Sequence, residues 1–543
     1  MKEKKFYITT PIYYVNDIPH IGSAYTTVAA DVLARYHRMI GEKTFFLTGT
    51  DEHGAKIEKA AAEAGKNPKE FVDELAAKFE LAWDELDISH DKFIRTTDEN
   101  HIKAAQNAMQ YLYDKGFIYK GEYEGLYCAG CEQYKTEKEL IGGKCPDHGT
   151  EPQKMKEECY MFKLSAFQDR ILELIKKDEL LVRPAERKNE IVSFLKNNPL
   201  SDISCSRKNV KWGIELPWDK KHTVYVWLEA FLNYLTGLGW DGPTSPRPSP
   251  CEGEGATSPL TPLAKGGMWP PDVQLIGKDI LRVHATIWPA MLLALNLPLP
   301  KQLFIHGFFL VGGKKMSKSL GNVIAPRDLI DKYGVDGARY LLMSATPFGH
   351  DGDISWQWFD EKYNADLANG IGNLVARSVA LADKMQNEKI SAQGGCASGA
   401  KNQNDPPAIA SEALRAGNLK CKIKHSLVKY KNEVANSGID KAIDIINGEI
   451  KFLDNYITEN KPWEMIKNGD EKVGKIMYNI LERLRIVAWM VWPFMPETAE
   501  KIWRQLGLAP AEEMKKDFNE AVKWGGLAAD TKVKKSEVLF PRI

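Results

Sequence analysis

Five residues near the N-terminus, Pro19-His20-Ile21-Gly22-Ser23, set an imidazole and a glycine at the head of an apolar-periodic stretch. N–H groups that open a helix attract phosphate, and glycine lets a ligand approach the backbone closely. An imidazole there can donate to a phosphate oxygen as charge builds during phosphoryl or nucleotidyl transfer. Far along the chain stands Lys314-Lys315-Met316-Ser317-Lys318-Ser319, preceded by Gly312-Gly313 and followed by Leu320-Gly321-Asn322. Glycines on both sides suit a mobile loop whose lysines close over a polyphosphate leaving group. Taken singly, the two stretches are better explained as a surface loop histidine and a solvated basic turn. No G-x-x-x-x-G-K-[ST] pattern occurs, so this is no P-loop, and Gly370-Ile371-Gly372 lies inside a helical stripe rather than after a strand. A third group is Cys128-x2-Cys131-x13-Cys145-x2-His148. Two ligand pairs across a loop, three thiolates and one imidazole in all, suit a tetrahedral, structural Zn2+ with no open position.

These residues need elements to hold them. Residues 6–14 read as a strand, and 22–39 follow as a helix with apolar rhythm. Residues 43–48 form a second strand, running into Gly49-Thr50-Asp51-Glu52-His53-Gly54 and a further helix. Such alternation implies an α/β domain with a mostly parallel sheet, whose ligands sit at the carboxyl ends of strands. From about Gly116, short strands, turns and the cysteine cluster mark an insertion. The α/β pattern resumes with 223–234, 273–276, a helix over 279–295, and 302–311. From 361 to 506 the chain is almost all helical, with a bundle stripe of Leu367, Ile371, Leu374, Ser378, Leu381 and Met385. Residues 242–267, dominated by Gly, Pro, Ser and Thr, read as a flexible excursion, and 393–407 as a shorter break.

Composition narrows the class. The 543 residues, 43% hydrophobic, build several packed cores and exclude a disordered or fibrous chain. Lys+Arg and Asp+Glu both number 73, so any nucleic-acid contact must come from local patches. The N-terminus lacks the apolar core and cleavage site of a signal peptide, and the longest apolar run, 287–300, is broken by Pro289, Asn296 and Pro298. Cys159, Cys205, Cys251, Cys396 and Cys421 are scattered, which argues against a disulfide framework. A soluble, intracellular protein is expected.

The early His-Ile-Gly and the late Lys-Met-Ser-Lys-Ser, on two halves of one split domain, resemble the class I aminoacyl-tRNA synthetases. The likeness is strongest to the methionyl-tRNA synthetase family and runs from Tyr7 to about Phe494, outside 242–267. It also rests on Thr10-Pro11-Ile12-Tyr13-Tyr14-Val15-Asn16, Gly49-Thr50-Asp51-Glu52-His53-Gly54, Tyr225-Val226-Trp227-Leu228-Glu229-Ala230 and Ile276-Gly277-Lys278-Asp279-Ile280. One position departs: where the family signature often carries a second histidine, this chain has Ser23.

The resemblance implies a split Rossmann-type catalytic domain with a zinc-knuckle insertion, then an all-α anticodon-binding bundle. The halves would span 1–115 and 222–311, the insertion 116–221, the lysine loop and stem-contact region 312–360, the bundle 361–520 and a tail 521–543. It implies a methionine–tRNA ligase: the methionine carboxylate attacks the α-phosphate of ATP, then the terminal ribose hydroxyl of tRNA(Met) attacks the adenylate carbonyl. The substrates bring their own nucleophiles, so catalysis is positioning and charge stabilisation. His20, Lys315 and Lys318 would be catalytic, the lysines holding the leaving phosphates together with Mg2+. Gly22, Ser23, Gly277, Asp279 and Ser317 would complete the ATP site. Asp51 matches the ammonium partner, and Ile12, Tyr14, Trp227, Ala230, Tyr234, Ile280, His284 and Trp288 match the methionine pocket. Sulfur against aromatic rings gains roughly 0.3–1.5 kcal/mol per contact, and His284 and Trp288, four apart on one expected helix, would share a face. Asn373, Arg377 and Trp463 match the anticodon-reading positions. Cys128, Cys131, Cys145 and His148 would hold one zinc per chain near the tRNA acceptor end.

Homocysteine lacks one methyl, worth only about 1–3 kcal/mol of discrimination; the resemblance implies its rejection by cyclisation in the synthetic site, and no large editing domain is visible. The expected partners are tRNA(Met), ATP and L-methionine, with no membrane, in a cytoplasmic monomer. Two alternatives differ in kind. A cysteinyl enzyme would need zinc in its catalytic pocket, whereas this ligand set is complete within the insertion. A non-catalytic tRNA-binding paralogue would account for Ser23 but predicts erosion of Asp51, Asp279, Lys315 and Lys318, all of which are present.

Overall fold

The computed structural model describes residues 3–128, 133–135, 140–146, 149–243, 267–316, 322–385, 407–528, 531–535 and 537–543. They form two units, one of residues 1–30, 44–84 and 88–307, the other of 31–43, 85–87 and 308–543.

The first unit is organised by a seven-stranded sheet. Its strands are β1 (Lys5–Thr9), β2 (Tyr13–Tyr14), β3 (Lys43–Asp51), β4 (Lys92–Arg95), β5 (Leu181–Arg183), β6 (Val273–Gly277) and β7 (Gln302–His306). They lie in the order β2-β3-β1-β6-β7-β5, with β4 beside β3. Pairings β1–β6, β6–β7, β7–β5, β2–β3 and β3–β4 are all parallel. Parallel strands covered on both faces read as continuous apolar runs, as in the fully buried Val273–Gly277. The strand expected over 6–14 is split, because Thr10-Pro11 interrupts it and proline cannot donate to a ladder. The strand expected to end at 48 continues to Asp51. Gly49 is required there, since a Cβ would lie 1.9 Å from the Ile94 carbonyl oxygen of β4.

Helix α1 (Ile21–Met39) follows β2, and α2 (Val226–Ala230) precedes β6. The single helix expected over 279–295 is instead a 3-10 turn, Lys278–Ile280, then α3 (Leu281–Ala285) and α4 (Ile287–Ala294). They part at Thr286, whose φ of −126° and ψ of −67° are not helical. Pro289 explains the break: in an unbroken helix its ring would clash with the Ala285 carbonyl, whereas it is tolerated in the first turn of α4. The insertion contributes an antiparallel sheet in the order Gln133–Lys135, Ile118–Cys128, Gln153–Phe162, Ile203–Ser204.

In the second unit, Phe309–Val311 pairs with Lys314–Lys315 and with Gly352–Ile354. The stretch 302–311 is therefore two strands in two sheets. Gly312 and Gly313, at φ +60° and +72°, make the two-residue hairpin turn between the first pair, a conformation both positions need glycine to adopt. Helices follow: α5 (Pro326–Ser344), a π-wound stretch Tyr363–Gly372, α6 (Asn373–Asp383), α7 (Pro407–Ala435), α8 (Ile439–Asn460), α9 (Val473–Val491) and Pro496–Gln505. Every residue of α9 outside Lys475 and Ile476 is buried, which makes it the axis of the bundle. Two buried ionic clusters brace this unit. Arg339, fully buried on α5, donates to Asp31 Oδ2 at 2.7 Å and to the carbonyls of Leu86, Pro493 and Phe494. Glu482 on α9 accepts from both Nε and Nη2 of Arg485 and from the N–H groups of Gly525, Gly526 and Leu527.

Candidate active site

The carboxyl ends of β1, β3, β6 and β7, together with the head of α1, form one polar edge of the first unit. His20 stands immediately before α1, and its Nδ1 accepts the Gly22 N–H at 3.0 Å. That bond fixes the neutral tautomer with the ring hydrogen on Nε2. Ser23 Oγ donates to the His20 carbonyl at 2.7 Å and accepts the His20 N–H at 3.2 Å. Ser23 is thus a buried clasp that holds His20 in its turn. The first turn of α1 contains no acidic residue, so its N–H groups present an uncompensated positive end to an anion.

Gly277 closes β6, opposite His306 at the end of β7. Asp279 lies two residues on, and its charge acts on His306. The His306 Nδ1–H donates to the Gly307 carbonyl at 2.8 Å, and Nε2 therefore accepts the Thr26 hydroxyl of α1 at 2.7 Å. Burial pushes the His306 pKa down, which keeps the ring neutral in this role. His306 escaped sequence reading because a single histidine at a strand end carries no spacing signal.

An aromatic cluster lies on the same unit. Tyr234, Trp288 and Phe231 belong to its core, against which Ile12, Tyr14, Trp227 and Ile280 are half-buried. Phe231 stacks on Trp288 at 5.6 Å between centroids and meets His284 edge-on at 4.9 Å. His284 and Trp288 therefore meet the same ring from two helices rather than sharing a face of one. The His284 Nδ1–H donates to the Ile280 carbonyl at 3.0 Å, and Nε2 accepts the Tyr234 hydroxyl at 2.9 Å. Burial lowers the His284 pKa to about 4, so the ring is neutral at physiological pH. Ala230 ends α2 and is buried. Asp51 ends β3 opposite Tyr14 of β2, and its carbonyl accepts the Val15 N–H.

Sequence reading also missed what joins these pieces. Glu229 of α2, fully buried, binds His53 Nδ1 and His101 Nε2, each at 3.0 Å. Burial pushes its carboxyl up, but attraction to His53 and the hydrogen bonds from both rings outweigh that and hold its pKa below the ordinary value. His53 lies two residues after Asp51, and its carbonyl accepts the Tyr14 hydroxyl at 3.0 Å. Glu52 is turned away and gripped by Arg95 at 2.7 and 2.9 Å. The triad thus fastens the segment carrying Asp51 to the helix carrying Trp227 and Ala230.

Other expected site residues fall elsewhere or outside the described residues. Lys315 lies in the strand Lys314–Lys315 of the second unit, whereas Ser317 and Lys318 are outside the described residues. Cys128 and Cys145 are both buried, while Cys131 and His148 are outside the described residues. Within the bundle, Asn373 begins α6 and is exposed; Arg377, one turn on, has its guanidinium 5.9 Å over the Trp463 ring and Nη1 2.6 Å from Asp454 Oδ1. Trp463 follows Pro462 at the start of the helix Pro462–Asn468 and is exposed. No helix among the described residues is long and apolar enough to cross a membrane.

Comparison with known proteins gives a consistent picture. A family described as tRNA synthetases class I (M) matches residues 6–155 and 148–379, and one described as the anticodon binding domain of methionyl tRNA ligase matches 407–543. The methionine–tRNA ligase of Clostridium acetobutylicum is 43% identical over 546 residues, covering 100% of this chain and 79% of that protein. That of Streptomyces coelicolor is 41% identical, covering 99% and 97%. The Mycobacterium tuberculosis methionyl-tRNA synthetase, solved with methionyl-adenylate, superposes with a TM-score of 0.86 at 33% identity, covering 99% of this chain and all of that one.

Proposed function

The chain belongs to the class I methionyl-tRNA synthetases and acts as a methionine–tRNA ligase on ATP, methionine and tRNA(Met), and from that premise we propose how its own residues divide the work. One observation carries the assignment: a neutral, oriented imidazole at the positive head of α1 shares an edge of the parallel sheet with Asp51 and with the aromatic cluster.

In this reading the methionine ammonium binds Asp51, and the thioether lies among Tyr14, Trp227, Ala230, Tyr234, Ile280, His284 and Trp288, with Ile12 at the mouth. His20, through Nε2–H, and the positive head of α1 at Gly22 and Ser23 stabilise charge on the α-phosphate as the methionine carboxylate attacks. Gly277 and Asp279 hold the nucleoside side, and Lys315, Ser317 and Lys318 the departing pyrophosphate. Mg2+ brought in with ATP, as in class I synthetases generally, would supply further charge neutralisation on the phosphates beside Lys315 and Lys318. Transfer then needs only the ribose hydroxyl of tRNA placed against the adenylate carbonyl. Asn373, Arg377 and Trp463 read anticodon bases by stacking and edge hydrogen bonds.

The domain limits follow the same reading: catalytic halves 1–115 and 222–311, insertion 116–221, stem-contact region 312–360, bundle 361–520 and tail 521–543. Zinc belongs to Cys128, Cys131, Cys145 and His148. The burial of Cys128 and Cys145 and a donor set of three thiolates and one imidazole suit a closed structural site, in which the ion ties the knuckle together. A translation enzyme of this family works in the cytoplasm. The decisive experiment is methionine-dependent exchange of pyrophosphate into ATP. Exchange driven by methionine and reduced about 100- to 1,000-fold in His20→Ala supports the assignment, and exchange indifferent to His20 removes it.

A further inference from the structure

The two residues of β2 face opposite ways, as successive residues of a strand do. Tyr14 turns to the aromatic cluster, and its hydroxyl donates to the His53 carbonyl at 3.0 Å. Tyr13 turns to the head of α1. Its hydroxyl lies 3.1 Å from the Ser23 carbonyl oxygen and 2.6 Å from Thr27 Oγ1, and Thr27 Oγ1 lies 3.0 Å from the same carbonyl. Two hydroxyl hydrogens are shared among these three oxygens, and since a carbonyl can only accept, the bonds run towards Ser23. The Tyr13 ring is held separately. It stacks on Phe79 at 5.6 Å between centroids and 8° between planes, and leans on Trp83 at 5.5 Å. Both partners are buried on the helix Pro68–Glu85, so an aromatic platform aims the phenol at α1.

That contact spans what the backbone leaves loose. Between Tyr14 and His20 the chain is a loop, Val15-Asn16-Asp17-Ile18-Pro19. Ser23 Oγ clasps His20 within its own turn, which orients the ring but does not place the turn against β2. Thr26 ties α1 to β7 through His306. Tyr13 ties it to β2, the strand whose other residue is assigned to methionine. Activation brings the methionine carboxylate onto the α-phosphate, so the separation of β2 from the His20 turn sets how well the reacting atoms meet. A misplacement of about 1 Å can cost on the order of 100-fold in rate.

We propose that Tyr13 is a positioning residue for methionine activation, its phenol bracing the His20 turn against β2 and so fixing the imidazole relative to the methionine carboxylate. Tyr13 acts through His20 and touches neither substrate. This rests on the assignment of His20 to the α-phosphate above and deepens it.

Tyr13→Phe removes the phenol oxygen and keeps the ring on Phe79 and Trp83. Methionine-dependent pyrophosphate exchange is measured for four forms of the full chain: the parent, Tyr13→Phe, His20→Ala and the double variant. Tyr13→Phe should lower kcat about 10-fold. The KM for methionine should stay within about 2-fold of the parent, since Tyr14 keeps its bond to His53. In the His20→Ala background the same replacement should change kcat by less than about 2-fold, because a brace has no effect once the braced group is gone. A purely structural loss would carry equally into both backgrounds, and that result overturns the proposal. So does a kcat unchanged by Tyr13→Phe in a chain that needs His20. A raised methionine KM at parental kcat also overturns it, since Tyr13 would then serve the methionine pocket alone. Full exchange in His20→Ala strikes the catalytic reading of His20 itself, and the brace falls with it.

Discussion

Replacing Glu229 by glutamine tests the idea that two distant segments are held in register by one buried carboxylate. The substitution keeps the volume but gives the pocket one acceptor where there were two. His53 Nδ1 and His101 Nε2 both face that carboxylate at 3.0 Å, and His101 Nδ1 is already engaged by Thr236 at 2.8 Å. One imidazole must then give up its bond to a charged acceptor and, by changing tautomer, accept the amide N–H instead. A hydrogen bond to a charged group contributes about 1.5–3 kcal/mol, so the variant should be about 1.5–3 kcal/mol less stable. Urea unfolding would show this as a lower midpoint at unchanged slope. Catalysis should change selectively. The His53 carbonyl holds the Tyr14 hydroxyl, and loosening one such bond, worth about 1 kcal/mol, should raise the KM for methionine roughly 5-fold. The KM for ATP should stay where it was. Pyrophosphate exchange with each substrate varied in turn separates the two. A glutamine variant with parental stability and parental methionine KM refutes the reasoning, as does a fall in kcat alone.

The buried neutral His284 makes stability depend on acidity. Its folded pKa of about 4 lies below the ordinary value of 6.5, so the unfolded chain takes up the proton first as pH falls. Stability from this group is complete above pH 6.5 and declines towards pH 4, by about 2 kcal/mol at pH 5; thermal melts of His284→Gln should lose that part of the pH dependence. Ser23→Ala removes both clasp bonds to His20. It should cost about 1 kcal/mol of stability and lower exchange kcat with little change in methionine KM. Arg339→Met leaves three carbonyls without their buried donor and Asp31 with Arg35 alone, and unfolding experiments should register about 2–4 kcal/mol. Cys145→Ala should abolish the one bound zinc per chain that elemental analysis is expected to find in the parent.

The parallel sheet and the helical bundle are legible in the sequence, because each is written in local periodicity. The polar stretches at 19–23 and 49–54 are legible for a similar reason, since a few contiguous residues carry their whole chemical character. The break at Thr286 is hidden by an apolar run that looks helical throughout, although Pro289 holds the clue once its missing N–H is counted. The Glu229 triad is hidden more deeply. Its members lie 176 and 128 residues apart in the chain, and no single one of them has a pattern. His306 and the lone glycine at 49 acquire significance only when a neighbouring strand is placed beside them.

Because the Ile280 carbonyl claims the Nδ1 hydrogen of His284, the Tyr234 phenol has only one direction in which to send its own. A one-way relay of this kind gives the oxygen of Tyr234 a fixed polarity: it offers lone pairs to any further visitor and never a hydrogen. Swapping His284 for a side chain that donates would reverse the relay and with it the kind of guest that the phenol welcomes, without moving a single ring.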